Sequence, residues 1–194
     1  MKERDTKERI LEKAVDLFYE YGFVKASIRE LARELGISNS SIYNHFTTKE
    51  EILFTIIEGA GGTLLSILEE VNSEYKDPVE CLREMIYSQI CLFDTKRKEI
   101  SIFVDELYQL PDHLREECNR QHRRIFDLYR NKIYELENKT LTNLIDRTVT
   151  TFGILGVMIW VYHWVKENGD LSTEEIASEI IKLLFNGIMK ANTL

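Results

Sequence analysis

Residues 38–46, Ser-Asn-Ser-Ser-Ile-Tyr-Asn-His-Phe, crowd hydrogen-bonding side chains of several kinds into about two helical turns. Ser38, Asn39, Ser40, Ser41, Tyr43, Asn44 and His45 offer hydroxyls, amides and an imidazole, with no Lys or Arg among them. Such groups recognise rather than react. An Asn amide pairs bidentately with adenine in the major groove, whereas Ser hydroxyls separate the bases weakly. Cations stand at the flanks, as Lys25, Arg29 and Lys49, where they suit phosphate and position a domain without specifying sequence. Elsewhere reactive chemistry is thin. His113, His122 and His163 lie far apart, and no Ser or Cys nucleophile stands beside one. Glu69-Glu70 and Glu116-Glu117 are adjacent, so on a helix they diverge. Cys81, Cys91 and Cys118 form no C-x-x-C pair, which argues against zinc or a disulfide framework. No catalytic residue, metal or cofactor is expected, and the chain does not read as an enzyme.

Two short amphipathic helices must position the polar cluster. The first covers about 28–35, with Ile28, Leu31, Ala32 and Leu35 inward, and the second about 39–46, held by Ile42 and Phe46. Between them Gly36 supplies the positive φ a tight turn demands, Ile37 packs beneath it, and Ser38 caps the next helix. The amides at that helix start then point outward, toward phosphate. This is the pattern of a helix-turn-helix, which lays its second helix in the major groove.

The remainder is also helical. Only Pro78 and Pro111 interrupt it, and sustained β alternation is absent. Ser27-x-x-Glu30, Thr48-x-x-Glu51 and Ser172-x-x-Glu175 are capping boxes, and Asp77-Pro78 is a further start signal. The spacing predicts an all-α protein of about nine helices, at about 5–21, 28–35, 39–46, 49–72, 78–93, 97–109, 112–137, 141–166 and 173–191. A helix-turn-helix domain over 1–50 precedes a helical bundle over 51–194. Gly59, Gly61 and Gly62 lie inside the fourth helix, where each costs about 1 kcal/mol relative to Ala. They mark either a hinge or a close helix contact.

Composition is compatible with this division. The 194 residues are 44% hydrophobic and 30% charged, which suits a globular protein, with net charge −8. Over residues 1–55 bases nearly balance acids, so the excess negative charge lies further along, as expected if only the N-terminal end meets nucleic acid. The N-terminus lacks a signal-peptide apolar run, and the most apolar stretch, Phe152–Val165, is shorter than the ~20 residues of a membrane span. A cytoplasmic protein with no membrane partner is expected.

The first quarter of the chain resembles the TetR family of transcriptional regulators. The residues that carry the resemblance are Phe18 and Gly22, Ser27-Ile28-Arg29-Glu30-Leu31-Ala32, Gly36-Ile37-Ser38, Ile42-Tyr43-Asn44-His45-Phe46 and Lys49-Glu50-Glu51-Ile52. The resemblance implies that Ser27 and Ile28, at the start of helix two, touch backbone phosphate, with Lys25 and Arg29 beside them. Tyr43 would meet a phosphate or a thymine methyl, His45 would lie along the backbone, and Asn44 is a further outward DNA-binding candidate. Lys49 would clamp a phosphate together with its helix dipole. Asn39, Ser40 and Ser41 would face base edges. Ser40 departs from the family pattern, which often has Gly there.

For the larger domain the resemblance implies a small-molecule effector and a homodimer on a double-stranded palindromic operator. Independently, the helix over 141–166 is apolar nearly all round and demands cover on every side. Gly153, Gly156, Trp164, Ile180, Leu184 and Ile188 are the expected dimer contacts. Tyr87, Ile90, Phe93, Phe103, Leu107, Phe126, Tyr129, Phe152 and Trp160 are candidate effector linings, although any such residue is more often plain core than ligand contact. The stretch Trp160–Trp164 with Asn168–Ser172 resembles members that sense acyl-CoA thioesters, so an acyl-CoA is the expected effector. The expected function is a repressor released by that effector. A helical ligand-binding protein without a DNA role is the alternative.

Overall fold

Helix-start chemistry sets the element boundaries. Ser27 Oγ accepts from the Glu30 amide at 3.2 Å and opens α2, Ile28–Leu35. The Glu30 carboxylate does not complete the expected box and instead takes Arg33, 3.3 Å away. Gly36 closes α2 in the left-handed region at φ 66, which only glycine enters without strain. Thr48 Oγ1 accepts from the Glu51 amide at 3.1 Å and opens α4, Lys49–Glu74. Asp77 caps α5, Pro78–Cys91, with proline in its first turn. Ser172 and Glu175 form the full reciprocal box at the start of α9, Thr173–Ile188. Before these comes α1, Glu3–Tyr21, and α3 is the short Asn39–Tyr43.

The computed structural model describes residues 3–141, 146–165 and 169–188. Nine α-helices and no strand occur among them. Expected positions within 142–145 and 189–191, Asn168 of the acyl-CoA-like stretch, and the Ile188 side chain lie outside the described residues. Three elements differ from the sequence expectation, the first being α3, which ends at Tyr43 rather than near 46. The sixth helix, α6, spans Phe93–Asp105 rather than 97–109, with Lys96 non-helical inside it at φ −131. Leu107–Gln109 instead make a 3-10 turn before α7, Asp112–Asn138. The eighth helix, α8, spans Arg147–Trp164, because Asp146 Oδ1 accepts from the Val149 amide at 2.8 Å and fixes its start.

Packing groups the chain into two compact units, residues 1–62 with 98–121 and residues 63–97 with 122–194. The last part of α6 and the first part of α7 pack in the same unit as the helix-turn-helix, across the expected division near residue 50. In the first unit Ile10, Ala14, Leu17, Phe18, Leu31, Ile42 and Phe46 bury a shared core. In the second, α5 packs on α8 and α9 through Leu82, Ile86, Ile176 and Ile181, among others. Phe93 stacks on Tyr162 at 4.7 Å, and Arg97 lies over the Phe93 ring while donating to the Val165 carbonyl at 2.6 Å. Among the described helices α4 is the one long and apolar enough to cross a membrane, and half of its apolar window is buried inside the protein.

Candidate nucleic-acid interface

In α3 the buried side chains are Ile42 and, just beyond, Phe46, at 0% and 2% exposure, which turns the rest of the helix outward. Tyr43 is half exposed, and Asn39, Ser40 and Asn44 are exposed. Ser38 Oγ accepts from the Ser41 amide at 3.2 Å and shares hydrogen bonds with the hydroxyls of Ser40 at 2.7 Å and Ser41 at 2.9 Å. The serines therefore hold one another at the start of α3. Ser40, the residue that departs from the family pattern, is tied to the cap.

Beside α3 opens a cleft of about 630 Å³ lined by Ala26, Ser27, Ile28, Arg29, Asn39, Tyr43, Thr47, Thr48, Lys49 and Glu50. It brings together the starts of α2 and α4 with the outer face of α3. Six of the expected contact residues line it: Ser27, Ile28, Arg29, Asn39, Tyr43 and Lys49. Lys25, Ser38, Ser40, Ser41, Asn44 and His45 are not in its lining. Thr47 and Thr48 line it without having been singled out as contacts, although the Thr48 capping signal marked the place.

Lys49 is less simple than a free surface cation. Its ammonium donates to the Phe23 carbonyl and lies 4.1 Å from the centre of the Phe23 ring. Burial pushes its pKa down, opposed by the nearby Glu50 and Glu106 carboxylates. It therefore anchors the turn after α1 while also lining the cleft.

The expected effector residues are divided between the two units. Phe103 and Leu107 belong to the first unit and are buried there. In the second unit Ile90, Phe93 and Tyr129 are buried, and Tyr87 and Phe126 are half-buried. The Tyr129 hydroxyl lies 2.9 Å from Gln89 Oε1 and 3.1 Å from the Met85 carbonyl. Phe152 and Trp160 are 62% and 66% exposed, because the helical register of α8 buries Ile154, Met158 and Val161 and turns these two outward. The Phe152 ring centre lies 4.8 Å from that of Phe126. Of the expected dimer contacts, Gly153, Gly156 and Trp164 are exposed and Leu184 is half-buried. Ile180 is 8% exposed, on the α9 face that buries Ile176, Ala177, Ile181 and Phe185 within its own unit. Among the described residues no three His, Cys, Asp or Glu side chains gather as metal ligands would.

The comparisons with known proteins follow this division. A family model described as "Bacterial regulatory proteins, tetR family" matches residues 10–56, and one described as "Tetracyclin repressor-like, C-terminal domain" matches residues 75–188. The chain belongs to the TetR family. It is a TetR-family DNA-binding transcriptional regulator with an N-terminal helix-turn-helix and a C-terminal helical domain. This TetR-family chain is 23% identical over 189 residues to the HTH-type transcriptional repressor KstR2 of Mycobacterium tuberculosis, covering 93% of this chain and 92% of that protein. It is 24% identical over 194 residues to the fatty acid metabolism regulator protein of Bacillus subtilis, covering 93% and 94%. The crystal structure of AibR in complex with isovaleryl coenzyme A and operator DNA superposes with a TM-score of 0.87. It shares 27% identity and covers 93% of this chain and 98% of that one.

Proposed function

We propose that this TetR-family regulator is a homodimeric repressor that binds a palindromic operator and leaves it when an acyl-CoA thioester binds. The observation that carries the DNA half is the cleft beside α3, where two helix starts, two cations and the exposed Tyr43 converge. Helix starts and cations are what phosphate oxygens require. In this reading Ser27, Ile28, Arg29, Lys25 and Lys49 hold phosphates, and Tyr43, Asn44 and His45 follow the backbone. Base reading falls mainly to Asn39, since the hydroxyls of Ser40 and Ser41 are engaged with Ser38.

The dimer reading rests on the exposed apolar surface of the second unit. Phe152, Ile159, Trp160 and Trp164 on α8 and Leu183 on α9 are all more than 40% exposed. Gly153, Gly156 and Gly187 have open space where a side chain would stand. The same face of a second copy, across a two-fold axis, would cover them. Recognition helices about 34–36 Å apart would then meet successive major grooves. Tyr87, Ile90, Phe93, Phe126 and Tyr129 are the proposed effector lining. The AibR complex with isovaleryl coenzyme A and the name of the Bacillus subtilis relative support the acyl-CoA class.

A duplex selected by the wild-type protein from a random-sequence pool tests the DNA half by fluorescence anisotropy. Lys25, Arg29 and Lys49 in two copies give a slope of log K against log salt of at most about −5, at about −0.9 per phosphate. Tyr43→Ala and Lys49→Ala should each weaken binding about tenfold with the helical circular dichroism intact. Wild-type affinity in both variants would overturn the site. Native mass spectrometry with isovaleryl coenzyme A reads oligomer and effector together. A monomer, or no operator release by acyl-CoAs of any chain length, overturns that part alone.

A further inference from the structure

The residue that organises Lys49 comes from far along the chain. Phe23 sits in the turn between α1 and α2, is 6% exposed, and meets Phe18 edge-on at 5.3 Å. Its two peptide groups are held from opposite partners. The Phe23 carbonyl and ring take the Lys49 ammonium. The Phe23 amide donates to Glu106 Oε1 at 2.9 Å, from just beyond the end of α6 and 83 residues away. Gly22 is in the left-handed region at φ 78, and a side chain there would lie 3.4 Å from the same Glu106 oxygen. Two turns earlier on α6, Lys98 bonds Asp16 of α1 at 2.7 Å and draws that carboxyl below its ordinary pKa. The end of α6 thus grips α1 and its following turn, all within the first unit.

We infer that Glu106 is a positioning residue for the DNA interface: by fixing the Phe23 peptide it holds Lys49 in register with the phosphate cleft. An ammonium has three donors. One reaches the Phe23 carbonyl, and the side chain still lines the cleft with Ser27, Arg29 and Tyr43. Without Glu106 the Gly22–Phe23 peptide keeps the Ala26 amide on its Gly22 carbonyl, at 3.2 Å, but loses its second tether. The acceptor that preorders Lys49 is then held less firmly, and more of the Lys49 ordering falls at the moment it meets phosphate. The end of α6, outside the helix-turn-helix, becomes a control point for operator affinity. The inference rests on the proposed DNA reading.

Operator affinity and its salt dependence in Glu106→Ala, Glu106→Gln, Lys49→Ala and the double variant Glu106→Ala/Lys49→Ala test this. The duplex is the one selected by the wild-type protein. Glu106→Ala should lose about tenfold in affinity and about one phosphate from the salt slope. Glu106→Gln keeps an acceptor for the Phe23 amide and should stay within about threefold of wild type. The double variant should bind no worse than Lys49→Ala. Additive losses, an unchanged slope in Glu106→Ala, or equal tightening in both Glu106 variants from simple charge removal would each overturn the inference. If Glu106→Ala fails to fold, loss of affinity and slope in a folded Glu106→Gln, or its absence in Glu106→Asp, overturns it as well. Should wild type show no salt-dependent duplex binding, the DNA reading fails first and this inference with it. Normal wild-type and Lys49→Ala behaviour with additive Glu106 effects sinks this inference alone.

Discussion

Replacing Gly61 with alanine should destabilise the protein, although it removes a glycine from the middle of α4. The three glycines of that helix differ in their surroundings. A Cβ at Gly59 would meet nothing within 4 Å, and one at Gly62 only Gln121 Nε2 at 3.8 Å. At Gly61 it would fall 2.4 Å from Gln121 Oε1 and 2.8 Å from Phe103 Cε2. Alanine gains about 1 kcal/mol of helix propensity at any of the three. At Gly61 overpacking opposes this by about 1–3 kcal/mol. Gln121 could swing aside, since its Oε1 is buried without a partner, at the loss of the 3.2 Å bond its amide gives the Glu58 carbonyl. Phe103 is the harder obstacle. It is 6% exposed, and its ring cannot retreat without moving core.

The net expectation is a loss of about 1 kcal/mol for Gly61→Ala, the upper overpacking figure less the propensity gain and part relaxation, against a gain of about 1 kcal/mol for Gly59→Ala. For a chain of this size that difference of about 2 kcal/mol separates the melting temperatures by about 4–8 °C. Scanning calorimetry at one fixed protein concentration measures it, because self-association would otherwise shift both transitions. A Gly61→Ala protein that melts at or above Gly59→Ala would refute the packing argument. The result also divides the two readings of the glycine run. Gly61 is where close packing excludes a side chain, whereas Gly59 and Gly62 have space for one.

Other perturbations follow from single sites. Gly36→Ala should cost about 1–2 kcal/mol in thermal or urea unfolding, because φ 66 is strained for any residue with a Cβ and space is not the issue. Gly36→Asn should cost less, as Asn tolerates that region. Tyr129→Phe should cost about 1–3 kcal/mol by leaving Gln89 Oε1 without its donor in a buried setting, read by urea denaturation. Burial lowers the His122 pKa in the folded state, so the unfolded chain binds its proton first as pH falls. Stability from the neutral imidazole is present above pH ~6.5 and is lost as pH drops through the lower folded value. His122→Gln should show a smaller drop in melting temperature between pH 7 and pH 5 than wild type. An equal drop would remove His122 from the account.

The helix-turn-helix was legible because each of its signals is local. Ser27 and Ser38 meet amides three residues on, and Gly36 answers a backbone demand at its own position. Contacts across long sequence separations carried no comparable signal. Nothing near Glu106 in sequence points to Phe23, and nothing near Gly61 points to Phe103. Helix eight is hard to read for a different reason. It is apolar almost all round, so its spacing gives no inner face, and nothing in the sequence says that α8 turns Phe152 and Trp160 outward. In α9 the stripe was clear, but Ile180 shows that an apolar stripe can be used up by the chain's own α5 before any partner meets it.

The absence of Lys and Arg from α3 bears on how the proposed dimer would discriminate operators. With three serine hydroxyls engaged at its start, α3 presents Asn39 and Tyr43 to the cleft as its outward polar groups. One good bidentate base contact is worth about 1–3 kcal/mol. A single half-site therefore offers about tenfold to a hundredfold discrimination, far below the 10³–10⁷ typical of specific regulators. Two half-sites in fixed register multiply their preferences, which reaches the lower part of that range. Specificity would then reside in the spacing between protomers more than in any one contact. A modest effector-driven change in that spacing would remove specific binding while leaving phosphate affinity nearly intact.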